Sequence, residues 1–229
     1  MKLYFAGQMG FRPDVLKKLG ITKKLYSFHN EKKEAIKWGS KNLMLDSGAY
    51  SAFTQGIKIN MKELNQYIQK LKPEYAIQLD VIGEEEATWK NYVKQKTEVD
   101  VMPVIHYMAS PKHIKRVLKE GYVCFGGTVG CSPATKMQWL DYLFSYPEAR
   151  NVKIHGLGVM SKIMLCRYPF YSTDSTTALK VFRYPESIKL DRFRQKTKTR
   201  EELLTHTIKQ QLDLETYVTK LWKKRGIKW

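Results

Sequence analysis

Residues 42–53 read NLMLDSGAYSAF: an apolar run of strand character that stops on an acid, Asp46, followed at once by Ser47 and Gly48. The pattern is not isolated. Seven further apolar or β-branched segments, KLYFAG (2–7), KLYSFH (24–29), YAIQLDV (75–81), VMPVIHY (101–107), YVCFGGT (122–128), VKIHGLG (152–158) and PFYSTDS (169–175), bring the candidate strands to eight. Helical patterns lie between them. MKELNQYIQKLK at 61–72 carries Leu64, Tyr67, Ile68 and Leu71 at helical spacing, while Ser110 and Pro111 suit a helix start and Gly121 a stop.

Strands alternating with helices predict an α/β protein with a parallel sheet buried on both faces. Eight repeats at short spacing favour a closed (β/α)8 TIM-type barrel, compact beside the ~250 residues typical of that fold. A doubly wound open sheet is the competing architecture. Neither GxGxxG nor the P-loop pattern follows the first strand, so neither common nucleotide-binding loop supports it.

The chain has 229 residues and a formal charge of +18, from 40 Lys+Arg against 22 Asp+Glu. Such an excess favours polyanions, nucleic acid or an anionic membrane surface. No run reaches the ~18 apolar residues of a membrane span, and MKLYFAGQMG lacks a signal-peptide pattern, so a cytoplasmic protein is expected. Cys124, Cys131 and Cys166 form no CxxC pair; they read as free thiols, with no zinc site or disulfide framework.

Character changes near residue 180, which divides the expected barrel (1–180) from a C-terminal extension (181–229). IKLDRFRQKTKTR at 188–200 sets Lys189, Arg192, Arg194, Lys196, Lys198 and Arg200 against one acid, with Phe193 among them. This is the candidate nucleic-acid-binding segment; the bland alternative is a solvated charged face. Residues 201–225 then place Leu204, Ile208, Leu212 and Leu214 near one face of a helix expected to pack on the barrel.

In a barrel, chemistry gathers where the strands end, at their C-terminal mouth. Polar residues and glycines fall there repeatedly: Asp46, Ser47 and Gly48; Asp80; His106; Gly126 and Gly127; His155, Gly156 and Gly158; Asp174 and Ser175. Singly, each acid reads as a turn or cap residue, and each histidine as structural. Three acids at equivalent strand ends would meet at one mouth. Paired carboxylates there suit chemistry at an anomeric carbon, one attacking C1 to form a covalent glycosyl intermediate and the other moving the proton. Glycines would let backbone groups approach a flat base.

The ordered motifs LDSGAYS (45–51), QLDV (78–81), PVIH (103–106), FGGTVG (125–130), HGLGV (155–159) and STDSTTAL (172–179) resemble those of the tRNA-guanine transglycosylases and their DNA-modifying relatives. Those enzymes exchange guanine for a 7-deazaguanine base. The resemblance implies Asp174 as nucleophile, Asp46 as acid/base residue with Ser47 and Gly48 in its pocket, Asp80 reading the base edge, and the Gly126–Gly127 backbone facing the base carbonyl. His106 stands where the tRNA enzymes commonly carry a glutamine, and His155, Gly156 and Gly158 complete the implied substrate site. Two departures point away from tRNA: DSGAYS replaces the usual DSGGFQ, and no cysteine cluster follows Cys166 to form the usual zinc site. Both features are similar to the virus-associated branch that inserts preQ0- or preQ1-type bases into DNA, implying a cytoplasmic enzyme, of the host cell if virus-encoded. The expected activity is guanine transglycosylation in DNA without metal or organic cofactor. A tRNA enzyme, a nucleoside or glycoside hydrolase, and a non-catalytic nucleic-acid-binding module are the alternatives.

Overall fold

The computed structural model describes residues 1–8, 11, 13–179 and 199–228. All eight expected strands form: β1 Lys2–Ala6, β2 Lys24–Ser27, β3 Leu43–Asp46, β4 Tyr75–Ala76, β5 Val104–His106, β6 Tyr122–Gly126, β7 Lys153–Gly156 and β8 Ser172–Ser175. They make one all-parallel sheet in the order β4-β3-β2-β1-β8-β7-β6-β5. The sheet curls, bringing its outer strands to face each other, but its ladder does not close. A single parallel bridge, Ile77–Met102, joins the β4 and β5 segments. The expected closed barrel is therefore met in part: the strands, their order and their direction agree, and the seam is open.

Side chains take over at that seam. Gln78 accepts from the Val104 N–H at 3.1 Å and donates to the Thr88 carbonyl at 2.8 Å, and Gln95 accepts from the Leu79 N–H at 2.6 Å. Both glutamines are buried. A strand edge that lost its neighbour without such partners would leave buried backbone groups unpaired.

The helices are α1 Pro13–Lys18, α2 Lys32–Trp38, α3 Ala49–Thr54, α4 Met61–Leu71, α5 Glu85–Lys96, α6 Pro111–Val117, α7 Pro133–Ser145, α8 Lys162–Arg167 and α9 Arg200–Lys224. The expected helix at 61–72 is α4, held at its start by Asn60, and α6 begins with Ser110 capping His113 and Pro111 in the first turn. Strand alternation sorts the apolar side chains. Leu3, Phe5, Leu43, Leu45, Val123 and Phe125 pack outward beneath the helices, whereas Tyr4, Ala6, Leu25, Met44, Val104 and Cys124 fill the interior of the curl.

The helix α9 belongs to the outer layer. Leu204 and Ile208 enter the core beside β1–β3, Val218 and Trp222 the core beside β5–β8, with Leu212 and Leu214 partly buried against the two. Polar bonds fix the contact: the Leu3 N–H donates to Glu215 at 2.9 Å and the Trp222 indole to the Leu165 carbonyl at 2.8 Å. Thr199 and Glu202 form a reciprocal capping box at the helix start. Of the basic segment, Lys189, Arg192, Arg194, Lys196 and Lys198 lie outside the described residues, and only the backbone of Arg200 is described, as the first residue of α9.

One end of the curl is plugged. At the strand starts, Tyr122 packs edge-on against Tyr75 and Tyr171, with centroids 5.0 and 5.1 Å apart. Lys2 Nζ sits 5.5 and 5.4 Å from the Tyr75 and Tyr171 rings. The opposite end, where the strands finish, is where the polar residues collect. Among the described residues no helix is long and apolar enough to cross a membrane.

Candidate active site at the strand ends

Asp46 is the last residue of β3, and Asp174 lies in β8 with Gly158 N–H donating to its Oδ1 at 2.7 Å. Asp80 follows β4 and is held from two sides. His106 Nε2, at the end of β5, stands 2.7 Å from its Oδ2, and Ser47 Oγ donates to its Oδ1 at 3.4 Å. The three acids expected at one mouth are brought together, close enough to act on one another's charge.

Their proximity decides a protonation state. Burial, followed by the charge of Asp80 and then of Asp174, pushes the Asp46 carboxyl up to about 7, against the lowering effect of the Gly48 backbone N–H. One carboxyl in the group is thus poised to hold or release a proton near neutrality.

The turn that carries Asp46 explains the Gly48 in the opening stretch. Gly48 has φ +79°, and a Cβ there would lie 2.4 Å from Ser27 Oγ and 2.5 Å from His29 Cβ. Only glycine lets the chain leave β3, swing past β2 and enter α3 while its N–H reaches back to the acid. Ser47 is fully buried; its Oγ accepts from Ala49 N–H at 3.3 Å while donating to Asp80, so it links the turn to the neighbouring strand.

At β6, Gly126 closes the strand on the inner face, where a Cβ would come 2.9 Å from Leu157 Cδ1, and Gly127 has φ +76° with the Tyr107 backbone nitrogen close by. The two glycines keep the backbone bare at the mouth. Two other expected site residues are placed elsewhere. Gly156 faces the outer layer, where a Cβ would meet Val159 and Phe170, so its small size serves packing. His155 is fully buried inside the curl beneath Asp174, with Nδ1 2.6 Å from Ser172 Oγ and Nε2 3.3 Å from Asp174 Oδ1. Gly158 acts through its N–H on Asp174 rather than on a ligand.

Sequence reasoning missed Ser172 and Tyr122. Tyr122 OH lies 2.6 Å from Ser172 Oγ, which joins it to His155. Ser172 stands two residues before Asp174, so the strand period of two puts both on the inner face; that signal was available. The link to Tyr122, fifty positions earlier in sequence, had none.

Beside Asp80 opens an apolar cleft of about 430 Å³, walled by Ala49, Phe53, Ile57, Leu79, Val81 and Ile82. Its size suits a small flat molecule with a polar edge turned toward the acid. Among the described residues, no group of three His, Cys, Asp or Glu side chains could hold a metal ion. The three cysteines are free thiols, as expected, and burial pushes that of Cys124 well up.

No family model matches the chain, and no curated protein matches it.

Proposed function

We propose that the strand-end mouth exchanges a purine base at a nucleoside of DNA, with Asp174 as nucleophile and Asp46 as the group that carries the proton. The observation that carries this reading is the convergence of three carboxylates with different jobs available to them, one raised toward neutrality by burial and by the charge of the other two. The reading takes the Ile77–Met102 bridge as the seam of a TIM-type barrel whose mouth is the site. Asp174 has its Oδ1 held by Gly158, and Oδ2 makes no hydrogen bond among the described residues. That oxygen attacks C1′ as the C1′–N9 bond breaks. The bonding pair leaves on N9, and the departing guanine takes the proton that Asp46 holds. In the return step a 7-deazaguanine gives its N9 proton to Asp46, its N9 bonds to C1′, and the Asp174 ester is released as carboxylate.

Asp80, oriented by His106 and Ser47, is the acceptor for the donor edge of the base, and the bare backbone at Gly126 and Gly127 admits its flat face. Apolar side chains stand exposed around the mouth, among them Tyr50 and Phe53 of α3, Met108 after β5 and Val129 after β6. Such groups suit stacking against an extruded nucleotide and its neighbours. The formal charge of +18 supplies the attraction to phosphates. DNA ranks ahead of tRNA on the DSGAYS motif.

The test is mass spectrometry of nucleosides from DNA and from tRNA incubated with the protein and preQ0 or preQ1, with labelled guanine as a second acceptor. A modified deoxynucleoside supports the reading. Modified tRNA alone moves the substrate to RNA, and guanine release without incorporation of label identifies a hydrolase. Asp174→Asn is expected to abolish both base release and the covalent adduct while leaving salt-sensitive binding; exchange at the native rate in that variant removes Asp174 from the mechanism. Binding without any exchange by the wild-type chain leaves a nucleic-acid-binding module.

A further inference from the structure

Beneath Asp174 the interior of the curl holds a line of polar side chains that the mouth does not use. His155 is fully buried, its Nδ1 2.6 Å from Ser172 Oγ, and Ser172 Oγ is 2.6 Å from Tyr122 OH. Its Nε2 lies 3.3 Å from Asp174 Oδ1, within ion-pair reach but too oblique for a hydrogen bond, and has no other partner among the described residues. A buried imidazole nitrogen with no partner costs stability, so its direction needs a reason.

Proton counting gives one. In a neutral imidazole a bare Nε2 lone pair turned to a carboxylate would repel it, so Nε2 carries the hydrogen and Nδ1 accepts. Ser172 has a single hydroxyl hydrogen, which must then go to Nδ1. Its oxygen is left to accept from Tyr122. Every donor in the line Tyr122, Ser172, His155 therefore points toward Asp174. The end of that line meets Oδ1, the same oxygen that Gly158 N–H already holds at 2.7 Å.

We propose that His155 is a positioning residue for the Asp174 nucleophile: with Gly158 it ties down Oδ1, so that Oδ2 alone is presented to the mouth, and Ser172 and Tyr122 fix the imidazole tautomer that does this. The proposal rests on the base-exchange reading for the role of Asp174. Its oblique contact tightens as the carboxylate settles for attack, a common difference between resting and reacting geometries. His155 touches no substrate. Its effect falls on the rate of attack and leaves binding alone, since misplacing a reacting group by about 1 Å costs on the order of 100-fold.

The experiment uses the full chain. In a histidine-¹⁵N-labelled sample, a long-range ¹H–¹⁵N spectrum is expected to show His155 protonated on Nε2, assigned by its loss in His155→Gln; a proton on Nδ1 overturns the proposal. In guanine-release kinetics, His155→Phe, which keeps the ring volume, is expected to lower kcat about 100-fold with KM changed by no more than about twofold. His155→Gln retains a side-chain amide donor and is expected to regain at least about tenfold of that loss. Equal losses in the two variants identify a packing role and overturn the proposal, as does a folded His155→Phe with native kcat. If His155→Phe does not fold, Ser172→Ala carries the test, with an expected drop in kcat of about tenfold at unchanged KM, and native kcat there counts against it. A wild-type chain that releases no base from DNA or tRNA overturns the base-exchange reading and this role together. An active wild type with indifferent variants overturns this role alone.

Discussion

Asp46 shows how a single side chain sets opposing demands on stability and chemistry. Its carboxyl is pushed up to about 7 first by burial and then by Asp80 and Asp174. A raised acid binds more protons in the folded than in the unfolded chain, so the folded state loses stability as pH climbs from the free-acid value near 4 through about 7. Asp46→Asn is therefore expected to stabilise the protein at pH 8 by roughly 1–3 kcal/mol, and to change little below about pH 3, where the carboxyl is neutral in both the folded and the unfolded chain. Thermal unfolding of the two proteins at the two pH values measures it; no gain at pH 8 means that Asp46 ionises freely in the fold. On the proposed role of Asp46, base release is expected to fall as pH rises through about 7, because only the protonated carboxyl has a proton to give. That limb of the pH–rate profile belongs to Asp46, and Asp46→Asn should lose it along with most of the activity.

At the scale of elements, the β3–α3 turn and the β4–β5 seam hold the site in register. The turn depends on one residue. Gly48→Ala forces a side chain into a left-handed backbone and against Ser27 and His29, at a cost of roughly 2–4 kcal/mol, and should also displace Asp46 from the mouth. A urea unfolding midpoint close to that of the native protein would show that the turn relaxes and that the glycine is dispensable. The seam depends on amide side chains that replace missing ladder bonds. Gln78→Leu keeps the bulk but leaves the Val104 N–H and the Thr88 carbonyl without their partner, so a loss of about 2 kcal/mol or more is expected in the same measurement. Both sides of the seam carry a residue of the site: Asp80 follows Gln78 by two residues, and His106 follows Val104 by two.

Over the whole molecule, the two ends of the curl have opposite characters. Tyr75, Tyr122, Tyr171 and Lys2 seal the strand starts, so the open end with its three acids is the face left for a ligand. Acids at that mouth repel phosphate, while the excess of basic residues elsewhere attracts it. Binding to a DNA duplex or strand is accordingly expected to weaken at least about tenfold between 50 and 200 mM salt, with the same log–log slope for the wild type and Asp174→Asn. A slope near zero in a fluorescence-anisotropy titration would separate the charge from any role in nucleic-acid binding.

The sequence alone determined the eight strands, their alternation with helices and the placing of Asp46, Asp80, His106 and Asp174 at strand ends, because apolar periodicity and the polar breaks that end it are local signals. The need for glycine at position 48 was not among those signals, because the groups that forbid a side chain there, Ser27 and His29, come from the β2 region. Tertiary structure decided the rest. Whether the first and last strands of the sheet meet depends on how far the whole sheet curls, and no segment records that; the open seam and its glutamine bonds appear only in three dimensions. The roles of His155 and Gly156 were likewise decided by depth: one residue of a strand turns into the curl and the next turns outward, so both leave the mouth to Asp174, whose shared charge with Asp46 arises from strands far apart in the chain.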